Sequence, residues 1–133
     1  MAAKIASATA VTGTTRFETK LIARKHSLVA DEEEEDGGKD AGPRPGELMC
    51  MSLAACSAIT MQMYADRKGW DTGEITVRVS RIMNETVTDF NVEIHFEKTL
   101  DEASMDRLIL ISKKCPVHKV LSNPIRINTT ITR

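Results

Sequence analysis

The chain has 133 residues, 41% of them hydrophobic and 28% charged, with a formal net charge of −1. That is one domain's worth of soluble globular protein, and its near-neutral balance gives nucleic acid or an anionic membrane no electrostatic hold on it. Five aromatic residues (Phe17, Tyr64, Trp70, Phe90 and Phe96) leave a core built from aliphatic side chains and methionine. No apolar run of signal-peptide length follows Lys4. The longest apolar stretch, Leu48 to Tyr64, is broken by Ser52, Ser57, Thr60 and Gln62 and reads as too short and too polar to span a bilayer. Three cysteines without a spaced framework fit a reducing compartment, so the expected location is cytoplasmic.

In chain order, Lys4–Val11 and Phe17–Ala23 alternate loosely about Gly13 and read as a hairpin, with His26–Ala30 as a short third strand. Asp31 to Asp36 is a block of six acids, read as a solvated loop that cannot pack. Pro45 suits the first turn of a helix, Glu47 favours that end, and Gly69 stops the helix after Lys68. Leu48, Met49, Met51, Leu53, Ile59, Met61 and Met63 spread round its circumference. A helix apolar on all sides must be buried on all sides, and a few strands of one small chain do not suffice, so a partner subunit is implied.

Ile75, Val77 and Val79, and then Phe90, Val92, Ile94 and Phe96, alternate with polar residues as two half-exposed antiparallel strands joined by a polar turn over residues 83–88. Asp101 is placed to cap a second helix ending near Lys113-Lys114. Cys115-Pro116 opens a short turn to Leu121, and Ile125, Ile127, Thr129 and Ile131 predict a final strand. The order β-β-(β)-α-β-β-α-β is an α+β class without internal repeats, a single domain over residues 1–133.

The chemistry rests on the cysteines. Cys50 and Cys56 lie six residues apart on one helix, about 9 Å along its axis, beyond the roughly 7 Å that a disulfide tolerates between Cα atoms. Cys56 has Ser52 four residues before it and Thr60 four after, a hydroxyl on either side of one face. Deep in the helix it lacks the acidifying help of a helix N-terminus, so a thiolate there needs a cation from elsewhere. The competing reading is a small buried hydrophobe. Cys115 and His118 have Cys-x-x-His spacing but lack the four ligands of a structural zinc site, so no metal and no cofactor is expected. His118 is a candidate to help deprotonate Cys115, His95 falls on the wet face of its strand, and no local partner marks His26.

Pro45-Gly46-Glu47-Leu48 leading to Leu53-Ala54-Ala55-Cys56, together with Lys114-Cys115-Pro116-Val117, resembles the OsmC/Ohr family of thiol-dependent peroxide-reducing proteins, in its general OsmC-like branch. The resemblance implies an intertwined homodimer, with two central helices wrapped by antiparallel sheets from both chains and two active sites at the interface. It implies Cys56 as the peroxide-attacking residue and Cys115 as its resolving partner. An external thiol reductant, such as a dihydrolipoyl protein, would restore the pair in oxidative-stress defence. It further implies an arginine from the N-terminal hairpin beside the thiolate, Arg16 with Arg24 as rival, held by a glutamate at the helix start. The family pattern sets that glutamate directly after the proline; here Gly46 stands there, and Glu47 is one residue later on another face.

Two functions follow as expectations. One is a homodimeric cysteine-based reductase of organic hydroperoxides or hydrogen peroxide. The other, suggested by the displaced glutamate and by Met49, Met51, Met61 and Met63, is a non-enzymatic dimer that binds an apolar small molecule and keeps its cysteines for packing.

Overall fold

The computed structural model of the chain describes residues 5–132. Eight main elements follow one another: β1 (Thr9–Thr15), β2 (Glu18–Ala23), β3 (His26–Ala30), α1 (Pro45–Lys68), β4 (Ile75–Met83), β5 (Thr88–Phe96), α2 (Glu102–Ser112) and α3 (Pro116–Leu121). The result is a mixed fold of helices and antiparallel sheets. Contacts divide it into two compact units, the first ending at Met49 and the second beginning at Cys50.

In the first unit β1, β2 and β3 form one antiparallel sheet in sequence order. The hairpin turn does not fall at Gly13. β1 runs through Gly13, whose φ of 114° accommodates a bulge between Val11 and Thr15, and Thr15 pairs with Glu18 across a two-residue turn at Arg16-Phe17. The predicted beginning at Lys4 lies outside the described residues, and residues 5–8 precede the strand. The second turn, Arg24-Lys25, is equally tight because Ala23 pairs with His26. Arg16 and Arg24 hold φ values of 48° and 54°, a left-handed conformation that costs a non-glycine residue about 1–2 kcal/mol. They stand at opposite ends of β2, a strand of six residues spanning about 20 Å.

The acidic block is not wholly solvated. Asp31 is buried, and its carboxylate accepts hydrogen bonds from the backbone N–H groups of Glu32 at 2.8 Å and of Lys39 and Ala41 at 3.1 Å each. These bonds, the Ala41 amide foremost, hold its carboxyl below the ordinary value of 3.8. Only the remainder, including a 3-10 turn at Glu34–Asp36, behaves as an open acidic loop.

α1 has 24 residues, about 36 Å of helix. It ends as the sequence predicts: Gly69 takes φ 71°, its N–H reaches the Asp66 carbonyl, and the Trp70 N–H reaches that of Ala65. This double closure satisfies the last carbonyls. α1 is long and apolar enough to cross a bilayer by length and composition alone, which corrects the expectation that this stretch is too short and too polar. The helix extends beyond residues 48–64 at both ends, and four polar residues dilute its apolar run too little.

Among the described residues α1 buries one stripe, Leu53, Ser57, Met61 and Ala65, spaced four apart and so on one face. Met49, Met51, Ile59 and Met63 stay between 44% and 61% exposed. In the second unit, Met61, Ala65 and Leu108 form a core against which Tyr64, Trp70, Ile75, Val77, Ile94, Phe96 and Leu100 pack. β4 and β5 pair in register from Ile75–Phe96 to Met83–Thr88, as their alternation predicts. Asp101 caps α2 by accepting from the Ser104 N–H at 3.0 Å. Around Tyr64, Arg67, Lys68 and Arg107 place cationic groups 5.6–5.8 Å from the ring centre, and the Arg107 Nε donates to the Tyr64 hydroxyl at 3.0 Å.

The predicted final strand does not form. Residues 124–132 adopt no regular structure, and Ile125, Ile127 and Ile131 are 57%, 87% and 85% exposed. A strand exists only by pairing with another, and among the described residues the segment pairs with none.

Candidate active site

The second unit brings Cys56 and Cys115 together across 58 intervening residues. Cys56 projects from the middle of α1 beside the buried stripe, near enough to Cys115 for the second sulfur to act on its ionisation. Cys115 is fully buried. It caps α3: its Sγ accepts the His118 N–H at 3.3 Å, and Pro116 follows at the first helical position, where a missing N–H costs nothing. The neighbouring amide of Val117 donates to Cys56, as does the Thr60 hydroxyl one turn along α1. Of the two hydroxyls that the spacing sets beside Cys56, Thr60 is therefore in contact with it.

These donors do not make Cys56 acidic. Burial pushes its thiol above the ordinary value of 9.0 and the adjacent Cys115 sulfur pushes the same way, while the Val117 N–H and the Thr60 hydroxyl only moderate the effect. Withdrawing a thiolate from water costs more than two neutral donors return.

Arg16 lies in the first unit, at the β1–β2 turn, with its guanidinium 5.2 Å from the ring centre of Phe17. Phe17 in turn helps to line a cavity of about 450 Å³ together with Leu21, Ala30, Pro45 and Leu48. Arg16 thus occupies the end of the sheet that faces the start of α1, and Arg24 the other end. Glu47 is engaged elsewhere. Its Oε1 accepts from the backbone N–H of Arg44 at 2.9 Å and from Arg44 Nε at 3.4 Å, and Arg44 Nε also lies 3.6 Å from Glu33. The backbone bond is the returning half of a capping box, with Arg44 in the capping position. Sequence reasoning missed this because the usual Ser or Thr is lacking there.

It also missed Ser57. This side chain is 3% exposed, and its hydroxyl lies 3.9 Å from Cys115 Sγ. The available signal was its place, four residues from both Leu53 and Met61, as the polar member of an apolar stripe. The His118 ring does not assist Cys115: its Nδ1 lies 3.4 Å from the Ser122 hydroxyl, and only its backbone amide serves the sulfur. His95 is exposed, as its strand face predicts. Among the described residues no group of three or more His, Cys, Asp or Glu side chains is arranged to hold a metal.

Comparison with known proteins bears on the fold and the family. The family described as OsmC-like protein matches residues 37–130, while no curated protein matches the sequence. Among solved structures, a protein of Psychrobacter arcticus assigned to osmotic stress and detoxification response superimposes with a TM-score of 0.75 at 20% identity, covering 89% of each chain. An OsmC-like protein of Mycoplasma pneumoniae gives 0.70 at 21% identity over 90% of this chain and 88% of its own. An organic hydroperoxide resistance protein of Legionella pneumophila gives 0.63 at 18% identity over 91% of each. At these identities the likeness speaks for the fold, and with a family match over most of its length the chain belongs to the OsmC-like protein family.

Proposed function

We propose that the protein is a thiol-dependent peroxidase acting on organic hydroperoxides or hydrogen peroxide in oxidative-stress defence. The observation that carries the reading is the shared contact of two sulfurs so remote in sequence. The Cys56 thiolate attacks the outer peroxide oxygen, the O–O bond breaks, and the departing alkoxide takes a proton to leave as alcohol, or as water from hydrogen peroxide. Cys56 is left as a sulfenic acid. Cys115 attacks that sulfur, water departs, and the disulfide forms before further oxidation. Arg16 supplies the positive charge that the raised Cys56 thiol requires. A thiol reductant, with a dihydrolipoyl protein as the expected source, reopens the disulfide.

The working form in this reading is a cytoplasmic, intertwined homodimer of single-domain chains, whose two copies of α1 lie centrally under sheets from both. The exposed methionine and isoleucine faces of α1 support it, as does the unpaired alternating segment after α3. A central helix of that kind carries the length and apolarity of a membrane span without entering one. The relatives named organic hydroperoxide resistance proteins, from Legionella pneumophila and Vibrio cholerae among others, support the substrate class.

A second reading, a non-enzymatic dimer holding an apolar small molecule, is favoured by one feature. The cavity of about 450 Å³ is walled by Phe17, Leu21 and Leu48, while Glu47 is committed to Arg44. Peroxide consumption by a Cys56→Ser variant separates the two. Loss of turnover, with rapid Cys56–Cys115 disulfide formation in the parent after one equivalent of peroxide, supports the peroxidase; unchanged consumption overturns it.

A further inference from the structure

Among the buried polar side chains that the mechanism above does not use, Ser57 is the one beside a cysteine sulfur. Ser57 is 3% exposed within the only buried stripe of α1, and among the described residues its hydroxyl has one hydrogen-bond partner, Cys115 Sγ at 3.9 Å. A hydroxyl at that distance from a neutral thiol gains little. Beside a thiolate the bond becomes charge-assisted, and such bonds are shorter and roughly twice as strong. The same sulfur already accepts the His118 amide at 3.3 Å. Cys115 thus has the His118 amide as a donor, the Ser57 hydroxyl beside it and no solvent exposure, whereas Cys56 is only partly buried.

A disulfide between them is asymmetric. An external thiolate reaches the accessible sulfur, and whatever stabilises the departing sulfur as an anion speeds the cleavage. Accessibility selects attack on Cys56, and Cys115, beside the His118 amide and the Ser57 hydroxyl, is then the sulfur that departs. We propose that Ser57 is a positioning residue for the reductive half-reaction, donating its hydroxyl proton in a hydrogen bond to Cys115 as that residue leaves as a thiolate.

The thiolate RS⁻ bonds to Cys56 Sγ, the S–S bond breaks, and its electron pair stays on Cys115 Sγ. A second RS⁻ attacks the sulfur of the bound R group, releasing RSSR and the Cys56 thiolate. Two external thiols are oxidised, one disulfide is reduced, and both cysteine thiolates are free to take up protons from solvent. The inference rests on the paired cysteines of the proposed function but not on the identity of the peroxide.

The test begins with the disulfide made by diamide, so that it does not require peroxidase activity. The oxidised protein is treated with isotope-labelled glutathione, quenched in acid, alkylated and mapped by mass spectrometry. The expected product carries glutathione on Cys56 and the alkyl group on Cys115; the reverse placement overturns the proposal. Ser57→Ala should slow glutathione cleavage by about tenfold, the scale of one hydrogen bond to a charged group, and Ser57→Thr should restore most of the rate. In a Cys56→Ser background, Ser57→Ala should also raise the pH at which Cys115 becomes alkylated, a readout that looser packing alone does not give. Cleavage of Ser57→Ala at the parent rate, or an unmoved Cys115 midpoint, refutes the assignment. Failure of diamide to join Cys56 to Cys115 sinks both this inference and the peroxidase reading. A disulfide formed by diamide but not by peroxide sinks the peroxidase reading alone.

Discussion

Replacing Arg16 with Gln tests where Cys56 obtains its acidity. The surroundings within its own unit push the thiol above its ordinary value of 9.0, so the thiolate is the minor form at pH 7. An opposite charge within a few ångströms lowers such a value by about 1–3 units, enlarging the thiolate population by about 10- to 1000-fold. The rate gain is smaller, because a less basic thiolate is also a weaker nucleophile; with a Brønsted coefficient near one half, each unit changes the net rate by about threefold. Arg16→Gln should therefore slow alkylation of Cys56 at pH 7 by about 3- to 30-fold and move its midpoint up by about 1–3 units. Iodoacetamide labelling across pH, read on the Cys56 peptide by mass spectrometry, measures both. Arg24→Gln, altered at the far end of β2, should leave the profile in place. A parent midpoint already at or above 9.0, or an Arg16→Gln profile that overlays the parent, would refute the assignment of that cation.

Met61 is fully enclosed with Ala65 and Leu108, so Met61→Ala should cost about 2–5 kcal/mol in urea denaturation. Ile127→Asp charges an unpaired segment expected to seek a second chain, and should shift sedimentation from dimer to monomer. The Asp31 carboxyl titrates below 3.8 because it accepts three backbone amides; its contribution is complete above that pH and is lost as pH falls through the lowered value. Acid unfolding followed by circular dichroism should accordingly lose its Asp31-dependent part in an Asp31→Asn variant, which should also be less stable at neutral pH. Tyr64 is the single tyrosine, and the hydrogen bond from Arg107 holds its ionisation below the ordinary 10.0. Arg107→Gln should raise the midpoint of tyrosinate absorbance, and no movement would argue against that hydrogen bond.

What the sequence made legible was local or periodic. The bounds of α1 follow from Pro45 and Gly69, the pairing of β4 with β5 from strict alternation, and the α2 cap from Asp101. The cysteine pair was visible only through motif resemblance, since no spacing rule brings residues 56 and 115 together. Gly13 drew the hairpin turn to itself because glycine is the cheapest residue at positive φ, yet Arg16 adopts that conformation and Gly13 bulges. Reading Asp31 with its acidic neighbours hid it, because a charge run describes hydration and not the three amides that converge on one member. The last strand was misjudged for a different reason: alternation describes a surface ready to pair, and among the described residues no edge pairs with it.

The successive amides of Val117 and His118 are divided between the sulfurs, the first to Cys56 and the second to Cys115. The opening turn of α3 is thus a single peptide clasp shared by both thiols. Removing either sulfur frees one jaw of it and resets the donors seen by the other, so a lone cysteine replacement is never a clean subtraction. Only a double-mutant cycle, with each cysteine changed alone and together, can apportion their roles.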